Sequence, residues 1–188
     1  MKECCVYLLL LSLLVGCAGI DSSLSTRGVL ESTTSKMDGT RIVSMSPVLA
    51  KSGLTDIQAE FGLYWDDTKG DNAFLIVEID GTKSFDPQSP FEIKVDDELF
   101  KLPPANTLDY GDTETYYGSQ YIRAHNKSRK SYVIHKKQIQ KIANGKVGAY
   151  RIWFLKNRFA EGEVSYQYPE FQSYVPYSFN KFYAQVWK

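Results

Sequence analysis

The sequence predicts a mainly β protein, an antiparallel β-sandwich or partly open barrel with two short helices, one of them C-terminal. Three observations lead there. Short runs in which apolar and polar residues alternate recur along the chain, as in Phe61, Leu63, Trp65 and Phe91, Ile93, Val95. Turn pairs such as Asp38-Gly39 and Asp80-Gly81 punctuate them. Only two segments carry helical spacing, and many short strands with few helices favour sheet packed on sheet.

Taken in order, Thr40 to Val48 is rich in β-branched residues and reads as a strand, followed by one around Phe61–Trp65. A polar turn from Asp66 to Asn72 leads into residues 73–79, AFLIVEI, whose nearly continuous apolar run suggests a central strand covered on both faces. Phe91 to Leu102 forms a hairpin around Asp96-Asp97, ended by Pro103-Pro104 because proline cannot donate to a ladder. Residues 105–118 are polar and read as a loop. Two strands are expected at Gln120–Ala124 and Ser131–Ile134, joined by a turn over Asn126–Lys130. A last pair is expected at Val147–Leu155 and Val164–Tyr168, with the chain reversing at Asn157-Arg158. The first helix spans Lys136–Ala143, with Ile139, Ile142 and Ala143 on one face and Asn144-Gly145 as its C-terminal cap. The second places Phe179, Phe182, Tyr183 and Val186 on one stripe behind a Ser178 cap.

The first residues set a compartment. Lys2 precedes an apolar run from Val6 to Val15, about half the roughly twenty residues that a membrane-spanning helix needs. A positive start, a short apolar stretch and small residues describe a secretory signal. Within it, Leu14-Val15-Gly16-Cys17 resembles the lipobox of bacterial lipoproteins. The resemblance covers the signal segment only. It implies diacylglycerol on the Cys17 sulfur, cleavage after Gly16 and acylation of the new amino terminus. A thiol suits that step because thiolate is a good nucleophile, and two or three acyl chains hold a protein at a bilayer where one is marginal. Ala18 in place of aspartate resembles the pattern of outer-membrane residence. The expected organisation is a signal peptide over 1–16, lipidated Cys17 with a flexible Ser/Thr-rich tether to residue 37, and one β-rich domain over 38–188.

Cys4 and Cys5 lie in the signal, and no cysteine follows Cys17, so the domain can form no internal disulfide. Of the 188 residues, the roughly 170 that follow the expected cleavage suffice to bury roughly 70% of the unfolded surface and need no such staple. Catalytic signatures are missing from the sequence: there is no G-x-S-x-G, H-E-x-x-H, G-x-G-x-x-G or P-loop. His125 and His135 match no metal-ligand spacing, and Asp67, Asp71 and Glu78 depart from a calcium loop at Lys69 and Asn72. No cofactor or metal is expected.

Charge is segregated. Arg123, Lys127, Arg129, Lys130, Lys136, Lys137, Lys141 and Lys146 fall in a stretch without one acid, whereas Thr55–Tyr116 holds fifteen acidic residues against four lysines. Such a segment either forms a basic face for anionic lipid or polymer, or lies against the acidic strands so that the field largely cancels. Cancellation is the more ordinary outcome. Tyr110, Tyr116, Tyr117 and Tyr121 crowd one polar stretch and are candidate binding residues beside the basic ones. The expected role is a membrane-anchored, non-catalytic binding or assembly module with an envelope protein, anionic lipid or polymer as partner, and no nucleic acid. A hydrolase of cell wall or glycan, acting through a carboxylate pair, is the enzymatic alternative.

Overall fold

The computed structural model describes residues 27–51, 58–105, 111–117, 122–166, 171 and 174–188, with the backbone course alone over 111–117 and 122–126. The fold is mostly β. Two antiparallel sheets pack together without closing into a barrel, and two helices accompany them, one at the C-terminus.

The larger sheet has six strands: β1 (Leu30–Thr34), β2 (Arg41–Leu49), β3 (Ala59–Asp66), β4 (Asn72–Asp80), β7 (Gly111–Tyr117) and β8 (Ile122–His135), in the order β1-β2-β3-β4-β8-β7. The smaller holds β5 (Phe91–Val95), β6 (Glu98–Leu102), β9 (Gly148–Phe154) and β10 (Arg158–Val164), in the order β10-β9-β5-β6. Alternation decides what each strand buries. Phe61, Leu63 and Trp65 of β3 and Ala73, Leu75, Val77 and Ile79 of β4 face inward, meeting Phe91, Ile93 and Val95 of β5 and Tyr150, Ile152 and Phe154 of β9. Aromatic edges hold the layers together: Phe61 lies 5.5 Å from Phe91 and 5.3 Å from Tyr150, centroid to centroid, and Phe91 lies 5.5 Å from Tyr132.

Helix α1 (Lys136–Ala143) continues directly from β8, and α2 (Val175–Trp187) lies against it and against β2 and β3. His135 caps α1, its Nδ1 accepting from the Lys137 amide while the Gln138 side chain accepts from the His135 amide. Phe179 and Phe182 enter the core, and the indoles of Trp65 and Trp187 both donate to the Gly70 carbonyl, at 2.9 and 3.1 Å. No helix among the described residues is long and apolar enough to cross a membrane.

Several expectations are corrected. The tether was expected to run to residue 37, but Leu30–Thr34 is a strand, because the free edge of β2 satisfies its backbone and Leu30 packs on the core. The expected loop over 105–118 contains β7, paired with β8 from Gly111↔Ser128 to Tyr117↔Ile122. The two strands and turn expected over 120–134 are one fourteen-residue strand. The last hairpin turns at Leu155–Asn157, with Lys156 and Asn157 at φ of 65° and 55°, and its second strand is Arg158–Val164; of the strand expected at Val164–Tyr168, residues 165 and 166 are outside any strand and 167 and 168 lie outside the described residues. Asn144 closes α1 through its amide on the Gln140 carbonyl, and Gly145 has no left-handed φ. Gly145 is instead a matter of space: a Cβ there would collide with Val95 and come within 2.9 Å of the Tyr166 hydroxyl. Helix α2 begins at Val175 with Pro176 in its first turn, where a fixed φ is welcome, and Ser178 is buried inside it and is not its cap. β4 is central, but only one of its faces lies in the core; Phe74 and Ile76 on the other are half-buried.

Candidate binding face

Among the described side chains, those from Lys127 to Lys146, the basic segment does not assemble into one patch. β8 sits beside β4 in a register that sets Arg129 opposite Glu78, and Glu78 in turn lies opposite Glu60 of β3. The Arg129 Nε donates to Glu78 at 2.6 Å, while Lys127 reaches Glu60 at 2.8 Å and Glu78 at 3.4 Å. Arg27 completes the ladder at 2.8 Å from Glu60. Burial works against the Lys127 ammonium, yet the hydrogen bond and charge of Glu60, with the charge of Glu78, outweigh it and raise its pKa. Lys130 cannot belong to a surface at all. It points inward from β8, is 3% exposed, and donates to the Asp86 carbonyl at 2.6 Å.

Lys136 pairs with Asp71 at 2.8 Å, and its hydrogen bond holds the Asp71 carboxyl below the usual range. Lys141 lies 3.5 Å from Asp96. Lys137 and Lys141 line a shallow groove of about 810 Å³ between α1 and β6, with Glu98 and Phe100 also in its lining. Acidic and basic segments are therefore interleaved over most of their length. Tyr116 is set opposite Arg123 by the β7–β8 register. Tyr110, Tyr121 and Cys17 lie outside the described residues.

His125 and His135 stand ten residues apart on one continuous strand, about 33 Å at the usual rise, so they cannot share a ligand. The acidic turn is a hairpin connection, with Asp67 accepting from the Arg41 amide and Glu78 engaged in the ladder. Among the described residues no group of three His, Cys, Asp or Glu side chains is placed to hold a metal.

A face that the sequence reading passed over is built more regularly. On the outward side of the smaller sheet, the register lines side chains up in rows across the strands. One row reads Glu161, Arg151, Glu92, Lys101 over β10, β9, β5 and β6. On one side of it lie Phe159 and Trp153, directly opposite each other; on the other lie Glu163, Ala149, Lys94 and Leu99. The charged row is tied together: Arg151 meets Glu161 at 2.6 Å and Glu92 at 3.1 Å, and Lys101 meets Glu92 at 3.3 Å. The Glu161 hydrogen bonds raise the Arg151 pKa still further, against its desolvation. Its guanidinium also sits 4.9 Å from the Phe159 ring centre and 5.6 Å from that of Trp153.

Phe159 on β10 and Leu99 on β6, at opposite edges of this face, remain 52% and 54% exposed. Beside the charged row, a groove of about 520 Å³ opens over Ala149, whose side chain is a single methyl, and along the Gly162 backbone. Gly162 makes room on the inward side, since a Cβ would run into the Tyr150 side chain, with Cε1 at 2.8 Å. The available sequence signal was alternation through Arg151 and Trp153, but placing the partner strand at Val164–Tyr168 left Phe159 and Glu161 in a turn. Only the true hairpin register brings them together.

The chain has no significant match to any protein-family model, curated protein or solved structure.

Proposed function

We propose that this protein is a bacterial envelope lipoprotein, anchored through lipid on Cys17 and probing its surroundings with a non-catalytic binding module. The anchor rests on the Leu14-Val15-Gly16-Cys17 sequence and on the short apolar run before it. The binding role rests on one observation: the outward face of the smaller sheet, where a row of paired charges, two adjacent aromatic rings and a groove lie side by side. Every carboxylate of that face has a cation within reach, Glu163 through Lys51, which suits fixed recognition better than proton transfer. A basic surface for anionic polymer draws less support, because Lys127, Arg129, Lys136 and Lys141 are each ion-paired and Lys130 is buried.

Expression of wild type and Cys17→Ser with a palmitate analogue tests the anchor. Wild type takes up label and sediments with membranes, and the variant does neither. A variant that sediments equally well overturns the reading.

A further inference from the structure

We propose that the outward face of the smaller sheet binds a neutral glycan chain, one sugar stacked on Phe159 beside Trp153 and hydrogen-bonded to Arg151 and Glu161, with a neighbouring sugar in the groove over Ala149. The inference rests on the binding-module reading and supplies its ligand. Charge balance comes first. On the sheet's own strands Glu92, Glu161 and Glu163 face Lys94, Lys101 and Arg151, three against three, with Lys51 joining from the side to pair with Glu163, and the signs alternate along the central row. A polyanion meets repulsion from every second position and a polycation from the others. A neutral ligand meets neither.

Unused hydrogen-bonding capacity is the second point. Arg151 commits three of its N–H bonds to Glu161 and Glu92, while a guanidinium has five. Both of those Glu161 contacts fall on Oε1, and among the described residues Oε2 accepts nothing. The row is thus held rigid by its own ion pairs while still presenting free donors and a free acceptor in planar, paired arrangement. Adjacent sugar hydroxyls, each both donor and acceptor, match planar groups of this kind.

The aromatic pair supplies the third. Trp153 and Phe159 lie 5.3 Å apart with their planes inclined at 59°, both beside the Arg151 guanidinium, and Phe159 keeps half its surface in water, so a sugar that stacks on Phe159 is flanked by the indole. Such rings offer an apolar platform to the C–H face of a pyranose. Trp153 and Ala149 are four residues apart on β9, about 13 Å along the strand, so platform and groove together exceed one ring and call for a chain.

The test is calorimetric titration of purified full-length protein in detergent with chitotetraose, cellotetraose, N-acetylglucosamine and heparin. The expected result is saturable binding of a tetrasaccharide, at least tenfold tighter than the monosaccharide and unchanged between low and high salt. Trp153→Ala should weaken it at least tenfold. Ala149→Tyr, which fills the groove from an exposed strand position, should do the same with the circular dichroism spectrum intact. No saturable binding of either tetrasaccharide overturns the proposal, as does binding that both variants leave unaltered, or binding of heparin alone that fades with salt. A protein that is labelled and sediments with membranes, yet ignores these sugars, would refute the ligand and leave the anchor standing.

Discussion

Asp96 shows how much a single side chain can organise here. It turns the chain between β5 and β6 at a φ of 53°, a left-handed value that aspartate and asparagine tolerate better than most residues. Its Oδ1 accepts from the amides of Lys146 and Val147 at 2.9 and 3.2 Å, fastening that turn to the entry of β9. Those amides, with Lys141 adding its charge, lower the carboxyl pKa below its ordinary 3.8. A depressed carboxyl contributes stability above its unfolded pKa and loses it as pH falls through the lower folded value. Asp96→Asn keeps the backbone preference and removes the charge. Urea denaturation should find the variant less stable at pH 7, the gap narrowing as pH drops below about 3.8 and closing at lower pH. Tyr166 is the contrasting case. Burial pushes its phenol upward, and the hydroxyl donates to the Ile142 carbonyl at 2.8 Å, so it serves as a fixed pin between α1 and the chain leaving β10.

At the scale of elements, the central strands β4 and β8 carry an ion-pair ladder where a sheet of this kind would often show plain polar residues. Glu78 is 2% exposed and takes hydrogen bonds from Arg129 and Lys127. Its cations keep partial access to water, so the penalty for stranding them stays below that of a fully buried pair. Glu78→Gln should cost about 1–3 kcal/mol in chemical denaturation, with the native dichroism retained. The elements that sequence patterning missed share one cause. β1 and β7 are edge strands whose sequences carry no apolar alternation; β1 buries little beyond Leu30, and each pairs along its length with one neighbour. β8 was divided in two because Asn126–Lys130 looks like a turn, whereas its charges are outward partners for Glu60 and Glu78 or, at Lys130, an inward donor.

The molecule as a whole depends on contact between two sheets that share no long strand. Phe91 lies at the centre of that contact, fully buried and within 5.5–6.1 Å of Phe61, Tyr132 and Tyr150. Two of these rings come from the larger sheet. Phe91→Ala therefore removes two ring contacts between the layers while that of Phe61 with Tyr150 remains, and the expected loss is about 3–5 kcal/mol, read from denaturant midpoints. Small edge contacts add to the closure: residues 103 and 105 bond across to β8, and the Ser165 amide reaches the Ala50 carbonyl at the opposite corner.

The sequence by itself determined the β class, the inward residues of β3 and β5, the presence of strands β4 and β9, helix α1 and the hairpin at Asp96-Asp97. Each of these follows from a local period or a local turn, so neighbouring residues carry the whole signal. Tertiary structure alone decided which charges neutralise one another, which strands form at the sheet edges, and that Arg151, Glu161, Trp153 and Phe159 share one face. These depend on register between strands, and a shift of one residue would send every side chain to the opposite side.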